Sequence, residues 1–205
     1  MDFINLNNYA ADVIAQGKYA EGYHTLQRAL KQFASSAVTE ISGLGVSSGD
    51  AESFRIEALL LSTSNIDRGL FKWPFTCTTT HPIASERLID LGAIAMFNMG
   101  LACHHMAFEN ACPPRRRNMM LFRCEKFYIQ SFGMAFHNKL LRIAILMNLM
   151  DIAFEQGDLP ALYSWKEMFA DEIKYISTAL PELVSMHIHT ACVHYMVELK
   201  AARAA

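Results

Sequence analysis

The 205-residue sequence predicts a mainly all-α fold of antiparallel helical hairpins, with about seven helices and one small inserted β-hairpin. Apolar residues recur at helical intervals over the first 37 residues and again from residue 85 onward. Residues 54–62 and 70–79 instead alternate between apolar and polar side chains, which is typical of half-buried strands. Hydrophobic residues make up 52% of the chain and charged residues 19%, so we expect a buried interface or groove.

Charge and cysteine usage argue against several classes of protein. The net charge is -2, which leaves no overall basic footprint for nucleic acid or an anionic membrane. No apolar run approaches the roughly 18 residues that a bilayer requires, and the N-terminus lacks a secretory pattern, so we expect an intracellular protein, cytoplasmic or nuclear. The cysteines are odd in number and show no CxxC spacing, which predicts reduced thiols and no metal or cofactor. They are Cys77, Cys103, Cys112, Cys124 and Cys192.

The N-terminal part of the chain predicts a helical hairpin. Helices are expected over residues 5–16 and 20–37, because large apolar residues and alanines recur there every three or four positions. A turn at Gly17, Lys18 and Tyr19 joins them.

The region at about 40–84 is predicted to be an insertion. Glycines and serines fill residues 41–53, a composition that favours a flexible connector. Two strands should follow, over residues 54–62 and 70–79, and Pro74 would confine the second to a sheet edge. The second strand places its apolar residues at alternate positions: Phe71, Trp73, Phe75 and Cys77.

The remainder of the chain predicts five more helices. Pro113 and Pro114 separate the first of them from the second, and Gly157 ends the third. The expected helices cover residues 85–108, 118–137, 139–156, 159–178 and 181–202. We therefore predict one helical domain over residues 1–205, with the connector and β-hairpin inserted into it.

A short pattern recurs along the helices. Asn8 lies nine residues before Gly17, and Asn148 lies nine residues before Gly157. Asn98 repeats the pattern with an alanine in place of the glycine. Each of the two glycines precedes a polar residue, an apolar residue and a second helix, which indicates a degenerate repeat.

These units resemble the tetratricopeptide repeat, a helix-turn-helix unit of 34 residues. In the first unit the family's small, glycine, aromatic, large apolar and small positions are Ala10, Gly17, Tyr19, Leu26 and Ala29. The second unit keeps Gly100 and has Tyr128 at the large apolar position; the third keeps Gly157 but has Met150 and Lys166 at the small and large apolar positions. The resemblance implies hairpins stacked as a right-handed superhelix.

The resemblance also implies a binding site. The first helices of such units line a concave groove that binds peptides, and Asn8, Asn98 and Asn148 would hydrogen-bond the peptide backbone. By helical spacing the groove would also contain Phe97, Leu101, His104, Met147, Asp151 and Phe154. Alternatively, the asparagines bridge neighbouring helices or satisfy buried backbone groups.

Two further clusters of polar residues are candidates for binding. Arg115, Arg116 and Arg117 form a basic run that either contacts an acidic partner or belongs to a solvated loop. His187, His189 and His194 lack the three- or four-residue spacing of metal ligands on one helix face, so no metal site is predicted.

Three functional hypotheses remain. The first is a non-enzymatic interaction module that binds a peptide or helix of another protein in the groove. The second is a structural subunit of a homo- or hetero-oligomer, with apolar surface such as the strand at Phe71, Trp73 and Phe75 covered by another chain. The third is a metal-dependent or thiol enzyme, although no catalytic motif occurs in the sequence.

Overall fold

A computed structural model of the protein describes residues 3–40, 54–59, 71–79, 85–109, 112–174 and 188–189. In these residues the chain is mainly helical with one two-stranded sheet, as the sequence predicts. The predicted connector at 41–53 lies outside the described residues, as does the last helix at 181–202 apart from helical Ile188 and His189. The elements are α1 (Phe3–Ala15), α2 (Tyr19–Glu40), β1 (Phe54–Ala58), β2 (Phe75–Thr79), α3 (Ser85–Ala107), α4 (Pro114–Met134), α5 (Lys139–Gln156) and α6 (Leu159–Lys174).

The chain divides into two compact units. The first comprises Met1–Leu61 and Trp73–His137, and the second comprises Ser62–Lys72 and Asn138–Ala205. Within the first unit α1 packs on α2, α2 on α3 and α3 on α4, while β2 lies against α1 and α3. Within the second unit α5 packs on α6.

The two predicted glycine turns have the same geometry. Gly17 and Gly157 adopt left-handed φ angles of 81° and 70°, which a residue with a side chain rarely adopts. After each glycine, the next amide donates to the carbonyl five residues earlier: Lys18 to Val13 and Asp158 to Ala153. This hydrogen bond closes a helix end of the Schellman type, so both glycines end a helix and begin its return.

Helix α4 begins earlier than expected. The prediction placed its start at about residue 118 and the three arginines before it, whereas the helix starts at Pro114. Proline fits the first helical position because the amide hydrogen that it lacks has no helical acceptor there. Arg115, Arg116 and Arg117 therefore lie in the first turn of α4 and not in a loop.

The sheet is antiparallel and pairs Ile56 with Cys77 at its centre. It is shorter than the prediction, because β2 begins at Phe75 and not at residue 70. Pro74 precedes the strand, and its carbonyl accepts a hydrogen bond from the Leu59 amide at 2.8 Å. Proline can accept this bond but has no amide hydrogen to donate in return, which is consistent with its position at the end of the strand pairing.

Of the helices in the described part of the chain, none is both long and apolar enough to span a bilayer.

Candidate functional site

Two asparagines of the first unit hold the backbone of β2. Asn98 Oδ1 accepts from the Phe75 amide at 2.8 Å, and Asn98 Nδ2 donates to the Phe75 carbonyl at 2.8 Å. Asn8 repeats this pairing at Cys77, where Oδ1 accepts from the amide at 2.9 Å and Nδ2 donates to the carbonyl at 2.7 Å. Each side-chain amide thus satisfies both backbone groups of one residue.

The second unit contains the same arrangement. Asn148 Oδ1 accepts from the Phe71 amide at 2.7 Å, and Asn148 Nδ2 donates to the Phe71 carbonyl at 3.2 Å. The three asparagines that the sequence singled out therefore make one kind of contact. We call Asn8, Asn98 and Asn148 the asparagine clamps, and residues 73–77 of the first unit the clamped segment.

Strand geometry explains why one amide can serve both backbone groups. In an extended chain the N–H and C=O of one residue point to the same side, and the next residue points its groups to the other side. Phe75 and Cys77 therefore face the clamps. Thr76 lies between them and faces β1, where it is paired with Glu57. The helices satisfy one edge of β2 through side chains, and β1 satisfies the other.

A fourth asparagine belongs to this site and was missed from the sequence. Asn7 is fully buried, and its Nδ2 donates to the Phe75 carbonyl at 3.1 Å. Its Oδ1 accepts from Asn98 Nδ2 at 3.1 Å, so it joins the clamps of α1 and α3. The signal was present, because Asn7 falls at helical spacing with the buried residues Ile4 and Ala11, and a polar residue on an apolar face needs a buried partner.

An aromatic cluster lies behind the clamped segment in the first unit. The Phe75 ring meets Phe97 edge to face at 5.1 Å between centroids, and Phe97 lies 5.6 Å from Tyr128. The Tyr128 hydroxyl is 3.4 Å from His104 Nδ1, and both residues are fully buried. Leu101 is also fully buried. Phe97, Leu101 and His104, which were predicted to line a groove, thus lie in the core of this unit.

The predicted groove residues of the second unit separate into two groups. Met147 and Asp151 are buried with Asn148, whereas Phe154 is 37% exposed. Phe154 lies at the last turn of α5, where its carbonyl accepts from the Gly157 amide. Buried Met147 and Asp151 offer no open surface to a second molecule, and Phe154 does.

The apolar strand that the sequence offered to an oligomer interface is buried within the chain itself. Phe71 and Phe75 are fully buried, and Trp73 is 2% exposed. This corrects the expectation that another chain covers these side chains. Aromatic rings bury large apolar areas, so their burial supplies a major part of what holds the segment in place.

The basic run is only partly available to a partner. Arg115 and Arg116 are exposed, but Arg117 lies over the Phe108 ring at 4.7 Å from its centroid. As for metals, the described residues contain no group of three or more histidine, cysteine or acidic side chains that could hold an ion. His187, His194 and Cys192 lie outside the described residues, and His189 is exposed.

Two buried cysteines have thiol pKa values that are raised. Burial, with a smaller contribution from the Asp90 carboxylate, raises the pKa of Cys77 to about 12. Burial and a hydrogen bond with Cys103 raise the pKa of Cys124 well above its ordinary value. A nucleophilic thiol needs the opposite shift, so neither cysteine has the electrostatic setting of a catalytic residue.

Comparisons of the chain with models of protein families, with curated proteins and with solved structures find no significant match.

Proposed function

We propose that the protein is a non-enzymatic interaction module of the tetratricopeptide-like type, which binds an extended segment of another protein on Asn8 and Asn98, the asparagine clamps of its first unit. The observation that carries this proposal is the pairing of each clamp with both the N–H and the C=O of one extended residue. Such pairing recognises the backbone of the bound segment and does not depend on its side chains. Surfaces that recognise peptides in the extended form commonly work in this way.

The clamped segment indicates what kind of ligand the clamps would bind. Phe75 fills the aromatic cluster with its side chain while Asn98 and Asn7 hold its backbone. A buried aromatic anchor surrounded by backbone hydrogen bonds is the usual composition of a peptide-binding hot spot. A partner would replace this segment with one of its own.

The free energy needed to release the chain's own segment limits how tightly a partner segment can bind. Freeing the segment from the first unit exposes Trp73 and Phe75, and each large apolar side chain contributes about 1.5–3 kcal/mol when buried. Opening therefore costs about 3–6 kcal/mol, and this cost lowers the affinity for a competing peptide by a factor of about 10²–10⁴. Binding by the resting chain is weak for this reason, and a variant with a vacated site should bind far more tightly.

The test uses a fluorescein-labelled synthetic peptide with the sequence of residues 71–79 and the full-length protein under reducing conditions. Phe75→Pro removes the amide that Asn98 accepts from and the ring that contacts Phe97. By fluorescence anisotropy the peptide should bind this variant at least about tenfold more tightly than it binds the wild type. Adding Asn98→Ala to the variant should remove the gain.

Thr76→Pro is the matched control, because the Thr76 amide faces β1 and the clamps keep their contacts. It should bind the peptide as weakly as the wild type. The proposal fails if the Phe75→Pro variant retains its helical circular dichroism and does not bind the peptide. It also fails if the wild type, Phe75→Pro and Thr76→Pro bind the peptide equally. The asparagines would then serve only as internal structural contacts.

A further inference from the structure

The solvent side of α4 carries an ordered stripe of residues that the clamps do not use. Met119, Phe122 and Ile129 are 45%, 53% and 45% exposed, and Lys126 lies among them. Their spacing of three, four and three residues places all of them on one side of the helix. The opposite side of α4 carries the residues that pack in the core, including Cys124 and Tyr128.

Cationic residues lie on and beside the same stripe. Helix α4 has five cationic residues and one anionic residue, a net charge of +4 in a chain whose net charge is -2. Arg115 falls on the stripe one turn before Met119, and Arg123 lies beside it. Within the described part of the chain, no carboxylate is within ion-pair distance of Arg115, Arg116 or Arg123. The Lys126 ammonium lies over the Phe122 ring, 4.2 Å from its centroid.

We propose that this side of α4 is a docking surface for an acidic amphipathic helix of a partner protein. Alternating three- and four-residue spacing is the pattern by which two helices interlock their side chains. The stripe from Arg115 to Ile129 spans about 21 Å at 1.5 Å per residue, which a partner helix of about 15 residues would cover. Carboxylates on that helix would pair with the exposed cations.

The charges argue against the other occupants of such a surface. A helix that lies on a membrane separates its apolar residues from its basic ones, whereas Lys126 lies between Phe122 and Ile129 on the same stripe. A second copy of the chain would bring two α4 helices of net charge +4 together, and like charges oppose that contact. An acidic helix satisfies both the apolar and the cationic positions.

The first experiment measures binding of a synthetic helical peptide of 21 residues to the full-length protein at low salt. The peptide carries leucine at the first and fourth positions of each seven-residue repeat and glutamate at the flanking positions; a second peptide carries lysine in place of glutamate. We expect the acidic peptide to bind and the basic peptide not to bind. Raising the salt should weaken binding, because exposed ion pairs are screened.

Two variants of the stripe identify the surface. Phe122→Gln removes the central apolar contact and should weaken binding about tenfold, as is usual for a central aromatic anchor. Lys126→Glu reverses one charge and should weaken it about fivefold. The matched control for Phe122→Gln is Leu159→Gln, at an apolar residue of α6 that is 41% exposed. The matched control for Lys126→Glu is Lys18→Glu, at an exposed residue in the turn between α1 and α2. Both controls should bind as the wild type does.

Four results would overturn the proposal. The first is that the acidic peptide does not bind the wild type, and the second is that the stripe variants bind it as tightly as the controls do. Retention on vesicles of phosphatidylcholine and phosphatidylserine, without binding of the acidic peptide, would show a membrane surface instead. Sedimentation as a dimer that Phe122→Gln converts to a monomer would show that a second copy covers α4. None of these outcomes depends on the asparagine clamps.

Discussion

Gly100 of α3 faces the ring of Tyr128 of α4 so closely that a side chain between them has no room. A Cβ atom built on Gly100 would lie 2.7 Å from Tyr128 Cε1 and 2.9 Å from Cδ1. The ring is fully buried and also contacts Phe97, so it has little space in which to retreat. The glycine therefore sets how closely the two helices approach behind Asn98.

Gly100→Ala should destabilise the first unit. Overpacking a tight core costs about 1–3 kcal/mol, which exceeds the gain of about 1 kcal/mol from replacing glycine inside a helix. Gly133→Ala is the control, because nothing lies within 4 Å of its added Cβ and only the helix gain of about 0.5–1 kcal/mol remains. Urea unfolding of the two variants should therefore give changes of opposite sign. If Gly100→Ala instead stabilised the protein, as Gly133→Ala is expected to do, Tyr128 would not constrain residue 100.

Asn98→Asp should destabilise the protein by about 3 kcal/mol at pH 7.5, because it places a buried charge without a counter-ion. The new carboxylate would face the Phe75 carbonyl and Asn7 Oδ1, both of which now accept from Asn98 Nδ2. At pH 5 the loss should be smaller, since a protonated carboxyl can again donate one hydrogen bond.

Asn118→Asp makes the same change of chemistry at an exposed residue in the first turns of α4. A negative charge near a helix N-terminus is mildly favourable, so this control should change the free energy of unfolding by less than about 0.5 kcal/mol. Chemical unfolding of both variants at the two pH values measures the difference. Equal effects from the two changes would mean that Asn98 does not hold the backbone of β2.

Cys77 should make the protein less stable as the pH rises above about 9. Its thiol keeps its proton in the folded state up to a pKa of about 12, against an ordinary value of 9.0. The unfolded chain loses that proton first, so the contribution is fully present below pH 9 and declines between pH 9 and 12. At pH 10 the loss amounts to about 1 kcal/mol.

The measurement is the free energy of unfolding at pH 8 and pH 10 for the wild type, Cys77→Ala and Cys112→Ala. Cys77→Ala should lose about 1 kcal/mol less than the wild type over this interval, since its unfolded state has no such proton to release. Cys112→Ala removes a partly exposed thiol and should follow the wild type. Parallel curves for all three proteins would show that Cys77 does not remain protonated in the folded state.

The sequence predicts the helices well because their periodicity is local. The bounds expected for α5, residues 139–156, coincide with those found, and Asn138 caps this helix by accepting from the Leu141 amide at 2.8 Å. The start of α4 is harder to predict, because Pro114 can break a helix but also favours the first position of one.

The positions of the clamps could be predicted from local sequence, but their partners could not. Their equal distances from the turns placed Asn8, Asn98 and Asn148 at equivalent positions, and their hydrogen bonds are alike. Alternation in the clamped segment predicted one buried face but not which helices cover it. Phe75 and Cys77 lie 68 and 69 residues after the asparagines of α1 that hold them, and no periodic pattern encodes a pairing over that distance.

The last prediction concerns the second unit, where Arg142 of α5 and Glu172 of α6 form an ion pair. The closest nitrogen and oxygen atoms are 2.6 Å apart, and the two side chains are about one-fifth exposed, at 19% and 20%. A double-mutant cycle with Arg142→Met and Glu172→Gln should give a coupling of about 1 kcal/mol, at the upper end of the range for exposed pairs. Lys174 and Asp171 pair at 2.8 Å with side chains 67% and 71% exposed, so the same cycle there should give less than about 0.5 kcal/mol. Adding salt should reduce both couplings. A coupling at Arg142 and Glu172 no larger than that of the exposed pair would mean that their partial burial adds nothing to the contact between α5 and α6.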